Sequence, residues 1–370
     1  MKILFTISSL NAGGAERVLS TLANYWSHNG HTVIVIKMDD KDSFYNIDSR
    51  ITLVSLGMFK KNLQVSKKII HNIVIVKTLA YHIKKHCPDI VISFMDRANI
   101  YTTLASISTN RKTIISERTN CNGLSSKLWR FLRRIVYPYA NGLVVLSDFD
   151  FKHYHYVSNK RIIYNPVRTR TNTKTANIVN IAKKEKIIMA VGRLEKVRCF
   201  DILLYSIFFI NKEFLRGWKV LIVGDGNEKN YLNQLLQKLS LHDIVQLIGT
   251  IKDIERYYSK ASIYVSTSRS EGFPNALAEA MSYGCACVAT DCLTGPSELI
   301  EDRVNGFLTE VNNIFDIRNK LELLLVNERL RKSIGYAAIE SVKKYNLESI
   351  AKEWEDFIAL TISKSIKNKC

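Results

Sequence analysis

Residues 268–290 read SRSEGFPNALAEAMSYGCACVAT and follow directly on the apolar run SIYVST (262–267). The stretch opens with a polar, glycine-containing turn, places Pro274 where a helix would start, and ends in a second apolar run, ACVAT (286–290). Proline suits the first helical turn because an N–H there has no intrahelical partner to lose. Strand, turn, short helix and strand in this order predict a β-α-β unit with parallel strands.

The same alternation continues outward. KIIMAVG (186–192), KVLIVGD (219–225) and IVQLIG (244–249) precede the unit, separated by helical stretches. The first half repeats the pattern with KILFTI (2–7), TVIVIKM (32–38), ITLVSL (51–56), DIVISFM (89–95), KTIISE (112–117), GLVVLS (142–147) and RIIYN (161–165). Near-continuous apolar runs indicate parallel strands covered on both faces. The fold class is therefore α/β, with two doubly wound, Rossmann-like parallel-sheet domains.

The Thr- and Asn-rich stretch from residue 166 reads as a linker. The expected boundaries are 1–165, a linker over 166–182, a second domain over 183–345, and a C-terminal helix over 346–370 that packs back on the first domain. In that helix Ile350, Trp354, Phe357, Ile358 and Thr361 recur at helical spacing. A chain of 370 residues is too long for a single small binding module.

Composition narrows the class further. Hydrophobic content of 46% and charged content of 24% exclude intrinsic disorder, and no long uncharged apolar run suggests a spanning helix. The net charge of +19 lies mostly in residues 1–177, which implies that the first half meets something anionic. The seven cysteines lack C-x-x-C spacing, so a reduced cytosolic chain without a metal centre is expected. MKILFTISSLNAGGA superficially resembles a signal peptide, but Thr6, Ser8 and Ser9 break its apolar segment, and no export is expected.

Ligands of doubly wound sheets bind beyond the carboxyl ends of the strands, so strand-to-helix turns are where chemistry is expected. The first turn holds Gly13 and Gly14 before a helix; it reads as a phosphate approach or as a plain tight turn. The second, VGRLEKVRCFD (191–201), brings Gly192, Arg193, Lys196 and Arg198 ahead of a helix near Phe200. Such cations neutralise a departing diphosphate without a metal, or they form a solvated basic loop. The third is the quoted stretch. Its amides near Asn275, Ala276 and Leu277 offer an anion site, and Glu279 suits vicinal hydroxyls such as those of a ribose. The alternative makes Glu271 and Glu279 ordinary helix charges.

These residues resemble the family-4 retaining glycosyltransferases of GT-B architecture. The matching pieces are Gly13–Gly14, GRL (192–194), GDG (224–226), Glu271 and Glu279 within EGFPNALAEA, GCACVATD (284–291), GPSELI (295–300) and NGFL (305–308). ISFMDRAN (92–99), IISERTN (114–120) and KLWRFLRRIVYP (127–138) are similar to the bacterial branch, including N-acetylgalactosaminyltransferases, that extends undecaprenyl-pyrophosphate-linked glycans or O-antigen units.

The resemblance implies a retaining, metal-independent transfer from a nucleotide sugar, most simply UDP-linked, to a polyprenyl-pyrophosphate-linked saccharide. It implies that Arg193 and Arg198 hold the donor diphosphate, that Glu271 faces the transferred sugar, and that Glu279 holds the ribose. The backbone near Ile251 would meet the base, with Gly272 and Phe273 completing the donor site. Two departures stand out: many relatives have Lys where this chain has Arg198 and Gly or Asn where it has Cys199, and many carry a His where this chain has Glu117–Arg118–Thr119. Glu16, Asp96, Glu117 and Arg118 are therefore the acceptor-side candidates.

On a helical wheel, 127–136 divides into Leu128, Trp129, Phe131, Leu132, Ile135 and Val136 against Lys127, Arg130, Arg133 and Arg134. With Lys60, Lys61, Lys67, Lys68, Lys77, Lys84 and Lys85, this predicts peripheral attachment to the anionic inner face of a bacterial cytoplasmic membrane, with Lys127, Trp129, Arg130, Arg133 and Arg134 facing it. The other reading is a helix packed on the sheet with a solvated basic face. Asp148-Phe149-Asp150 would hold a divalent cation in a different fold, but Ser147 or Asp148 more simply caps a helix. Competing functions are a nucleotide-sugar 2-epimerase, transfer from GDP-mannose, and nucleic-acid binding; the last lacks an aromatic-lined basic platform.

Overall fold

The computed structural model describes residues 1–58, 65–123, 126–167, 181 and 184–363. The predicted linker lies largely outside the described residues, as do Lys60 and Lys61 and the side chains of Lys67 and Lys68. The chain divides into two compact units, Met1–Pro166 with Leu347–Cys370, and Val167–Asn346.

In the first unit the strands are β1 (Lys2–Ile7), β2 (Thr32–Lys37), β3 (Thr52–Ser55), β4 (Ile90–Phe94), β5 (Thr113–Ser116), β6 (Gly142–Val145) and β7 (Lys160–Ile162). They form a parallel sheet in the order β3-β2-β1-β4-β5-β6-β7. β4, β5 and β6 are buried along their whole length, which is why they read as unbroken apolar runs. The helices are α1 (Gly14–His28), α2 (Val65–His86), α3 (Asp96–Thr109), α4 (Lys127–Val136) and α5 (Asp148–His153). α3 buries residues around most of its circumference because α2, α4 and the sheet all cover it.

The C-terminal helix, Leu347–Ser363, belongs to this unit. It buries Ile350, Ala351, Trp354, Phe357, Ile358 and Thr361, and Trp354 stacks on Phe94 at the end of β4 with ring centres 6.1 Å apart. Full burial of such side chains contributes about 2–3 kcal/mol each.

The second unit holds β8 (Glu185–Val191), β9 (Lys219–Val223), β10 (Val245–Gly249), β11 (Ala261–Ser266), β12 (Ala286–Thr290) and β13 (Phe307–Thr309), in the order β10-β9-β8-β11-β12-β13. Its helices are α6 (Phe200–Phe208), α7 (Lys229–Lys238), α8 (Glu255–Lys260), α9 (Asn275–Ser282), α10 (Pro296–Leu299), α11 (Ile314–Val326) and α12 (Glu328–Val342). A core of Ile188, Leu203, Leu204, Ile222, Ile263, Val288 and Leu321 joins the sheet to α6 and α11. The strand order reverses beside β8 and β11, the switch point where open sheets leave room for a ligand.

Candidate active site

The turns after β8 and β11 bring the predicted residues of the second unit together. After β8 the backbone of Gly192 donates to Val223 O at 3.0 Å and Leu194 donates to Asp225 O at 2.9 Å, so the loops after β8 and β9 run side by side. Gly224 sits at φ +143, and a Cβ there would overlap the Gly192 carbonyl. Only glycine fits both the conformation and the approach.

The loop then makes a 3-10 turn, Lys196–Arg198, and Cys199 begins α6 at φ 49, ψ 45. That left-handed conformation explains why Gly or Asn would suit this position. Thr267 Oγ1 donates to the carbonyls of Arg198 and Cys199, both at 2.9 Å, and fixes the turn against β11.

Arg198 Nη1 pairs with Glu271 Oε1 and donates to Ser268 Oγ at 3.2 Å. Glu271 is buried, and its carbonyl accepts from Thr294 Oγ1. Arg193 lies exposed and, among the described residues, has Glu195 at 3.0 Å as its ion-pair partner. At the start of α9, Pro274 precedes the first turn and Asn275 N donates to Phe273 O at 2.9 Å. The amide of Asn275 is therefore engaged, a correction to the expected anion site, which narrows to Ala276 and Leu277, where helix geometry supplies no partner.

Glu279 is buried rather than an exposed helix charge. Burial pushes the Tyr264 phenol well above its usual range, with Glu271 and, more weakly, Glu279 adding to it. Phe273 is buried against Tyr345, and Ile251 lies half-buried in the loop beyond β10. A neighbouring cavity of about 430 Å³, lined by Lys196, Asp201, Glu228, Tyr231 and Arg269, shares the basic turn with these residues but not their carboxylates.

In the first unit, Gly13 precedes α1, and the Glu16 carboxylate folds over it, occupying the space a side chain would take. Tyr45 Oη donates to Gly13 O at 3.0 Å. Asp96 opens α3, while Glu117 and Arg118 follow β5. The last two are not at an open surface as expected. Glu117 is buried, and the Arg118 guanidinium lies beside the stacked pair of rings, 4.4 Å from Phe94 and 5.5 Å from Trp354. Arg118 Nη1 donates to Asn165 Oδ1, but Nε and Nη2 are buried with no hydrogen-bond partner among the described residues. Burial pulls its guanidinium down to about 9.

α4 is also corrected. Arg133 does not face outward: its side chain is 3% exposed, and it reaches Asp96 Oδ1 at 3.2 Å and the Cys121 carbonyl at 2.6 Å. Trp129 turns inward against Tyr101, with ring centres 5.7 Å apart. Lys127, Arg130 and Arg134 are exposed, and between them so are Leu128, Phe131 and Ile135, the first two at 63% and 62%. The Asp148–Asp150 stretch does what a cap does: Ser147 Oγ accepts from Asp150 N at 3.1 Å, and Asp150 Oδ1 accepts from Cys121 N at 2.9 Å.

Known proteins resemble this chain along most of its length. Residues 12–171 match the family described as Glycosyltransferase Family 4, and residues 171–341 match Glycosyl transferases group 1. The GalNAc-alpha-(1->4)-GalNAc-alpha-(1->3)-diNAcBac-PP-undecaprenol alpha-1,4-N-acetyl-D-galactosaminyltransferase of Campylobacter jejuni is 31% identical over 360 residues, covering 97% of this chain and 98% of that one. The amylovoran biosynthesis glycosyltransferase AmsD of Erwinia amylovora is 27% identical, covering 96% and 99%.

Among solved structures, Anabaena HepE in complex with UDP and glucose superposes with a TM-score of 0.78 at 18% identity, covering 97% of this chain and 99% of that one. A TarM mutant of S. aureus, in complex with Fondaparinux, alpha-GlcNAc-glycerol and UDP, gives 0.76 at 17%, covering 96% and 99%. With both halves matched in order and a relative aligned almost end to end, the chain belongs to the family 4 glycosyltransferases, hexosyl-transferring enzymes of GT-B architecture.

Proposed function

We propose that the protein moves a sugar, N-acetylgalactosamine or another hexose or N-acetylhexosamine, from a UDP-sugar onto an undecaprenyl-pyrophosphate-linked saccharide, with retention at the anomeric carbon. The observation that carries the donor half is the Arg198–Glu271 pair beside the first turn of α9, with Glu279 buried further along the same helix. Glu271 holds Arg198 in place, Arg193 remains exposed to receive a second phosphate, and the amides of Ala276 and Leu277 add the positive end of the helix. A leaving diphosphate held by fixed cations and amides needs no metal to stabilise its developing charge. The 31% identical Campylobacter jejuni relative, named for an undecaprenol-PP-linked substrate, supports the acceptor class.

Attachment to an anionic membrane surface through α4 completes the reading. Among the described residues no helix is long and apolar enough to cross a membrane. The exposed Leu128, Phe131 and Ile135, flanked by Lys127, Arg130 and Arg134, supply an apolar edge with cations on either side. On α2, Lys77, Lys84 and Lys85 are exposed together with Ile69, Ile70 and Ile73.

A panel of UDP- and GDP-sugars with an undecaprenyl-pyrophosphate trisaccharide, read by mass spectrometry of the lipid product, tests the reaction. Turnover of a UDP-sugar in EDTA is expected; turnover of GDP-mannose alone, dependence on Mn²⁺, or UDP release without a lipid acceptor contradicts it. Sedimentation with phosphatidylglycerol vesicles tests attachment. Phe131→Ser with Ile135→Ser is expected to weaken binding at least about 10-fold, since each buried side chain contributes about 1.5–3 kcal/mol. Unchanged sedimentation rejects the α4 contact.

A further inference from the structure

At the base of α3, five polar side chains of the first unit converge, and a carboxylate oxygen among them lacks a donor. Glu117 Oε1 accepts from Tyr137 Oη and from Asn99 Nδ2, the latter at 3.2 Å. Glu117 Oε2 is buried and receives no hydrogen bond from the described residues. The Asp96 carboxyl lies within hydrogen-bonding reach of Glu117, and Arg133 Nη1 binds Asp96 Oδ1 at 3.2 Å. Two ionised carboxylates side by side offer acceptors only, whereas one proton between them supplies the missing donor. Of the group, Asp96 alone keeps an open edge, with its side chain 20% exposed; Glu117, Tyr137 and Arg133 are buried.

Resting on the transfer reading above, we propose that Glu117 is a protonated positioning residue: its carboxylic acid donates to Asp96 and, with Arg133, fixes the Asp96 carboxylate so that its free oxygen accepts a hydrogen bond from a hydroxyl of the acceptor saccharide. No proton leaves the acceptor for Asp96 in this arrangement; the carboxylate orients the hydroxyl. Burial, then the neighbouring Asp96 charge, pushes the Glu117 carboxyl well above the usual range, opposed by Arg133 and Tyr137. Tyr154, stacked on Tyr137 and lying under Arg133, closes the group from the α5 side, and Arg118 is the next residue along the strand end.

The sign follows directly. An acid that must stay protonated supports turnover below its folded pKa, and its contribution disappears as pH rises through that value. kcat/KM against pH should therefore fall on an alkaline limb in the wild-type enzyme. Glu117→Gln, which keeps a donor but cannot ionise, should remove that limb, while Glu117→Ala should lower kcat/KM about 10- to 100-fold, the effect of losing a hydrogen bond to a charged group. Partial recovery from Ala to Gln is the mark of positioning by a donor. Infrared spectra at neutral pH give a readout independent of any substrate: a protonated-carboxyl band present in the wild type and absent in Glu117→Gln is expected. A missing band, or the same alkaline limb in Glu117→Gln, overturns the proposal. If the band is present while no lipid-linked acceptor is turned over, the acceptor reading fails and the proton assignment stands.

Discussion

Arg118 in the first unit and Arg198 in the second both lie in turns that follow a strand, and their surroundings are opposite. Arg198 has a carboxylate partner and keeps about a quarter of its side chain exposed. Arg118 is buried beside two stacked aromatic rings, with two donor nitrogens unpartnered among the described residues. A cation held by a carboxylate at an open edge can meet a ligand at little cost, because its desolvation is already offset. A cation lying against the stacked Phe94 and Trp354 instead helps tie the C-terminal helix to the end of β4, through ring contacts worth up to about 2 kcal/mol. Arg133 is a third case, buried but satisfied by Asp96 and a carbonyl. Donor chemistry is therefore proposed for the second unit's strand ends, whereas in the first unit Arg118 is framework and Arg133 holds Asp96 in place.

Four substitutions would break or sharpen that contrast. Glu271→Ala should reduce turnover about 10²- to 10³-fold, the usual effect of disturbing a preorganised charge site, while unfolding free energy falls by only about 1–2 kcal/mol because Arg198 can rehydrate. Equal losses in activity and stability would make the pair a structural one. Arg133→Met should cost about 3 kcal/mol in urea denaturation, since Asp96 and the Cys121 carbonyl lose their buried partner. Gly224→Ala should cost about 2–3 kcal/mol, from its positive φ and the overlap with the Gly192 carbonyl. Arg118→Met should change stability by less than about 1 kcal/mol, because an unpaired buried charge is exchanged for an apolar chain of similar size. A loss comparable to that of Arg133→Met would show that the buried guanidinium is better satisfied than its surroundings suggest.

The strands were legible because parallel strands covered on both faces leave unbroken apolar runs, and β1, β4, β8 and β12 all coincide with such runs. β13 was not expected as a strand: Phe307–Thr309 spans three residues, too short to show a period. The inward residues of the C-terminal helix could be named from spacing alone. The orientation of α4 could not, since a wheel separates apolar from charged residues without saying which face has a partner. Asp96, which accepts Arg133, arrives from α3, far outside any local window. The burial of Glu117 and Arg118 was not legible for the same reason: their covering side chains, Tyr137 and Trp354, come from distant segments. Cys199 stands out in the sequence as a departure from the Gly or Asn of relatives, while its left-handed backbone is visible only in the fold.

The central claim is that the basic turn after β8 and the first turn of α9 together hold a nucleotide diphosphate. A crystal grown with UDP in EDTA tests it most directly. The account predicts the two phosphates on Arg193, Arg198 and the amides of Ala276 and Leu277, with the ribose hydroxyls on Glu279; a nucleotide bound elsewhere in the second unit, or one that binds only when a divalent cation is added, would contradict it.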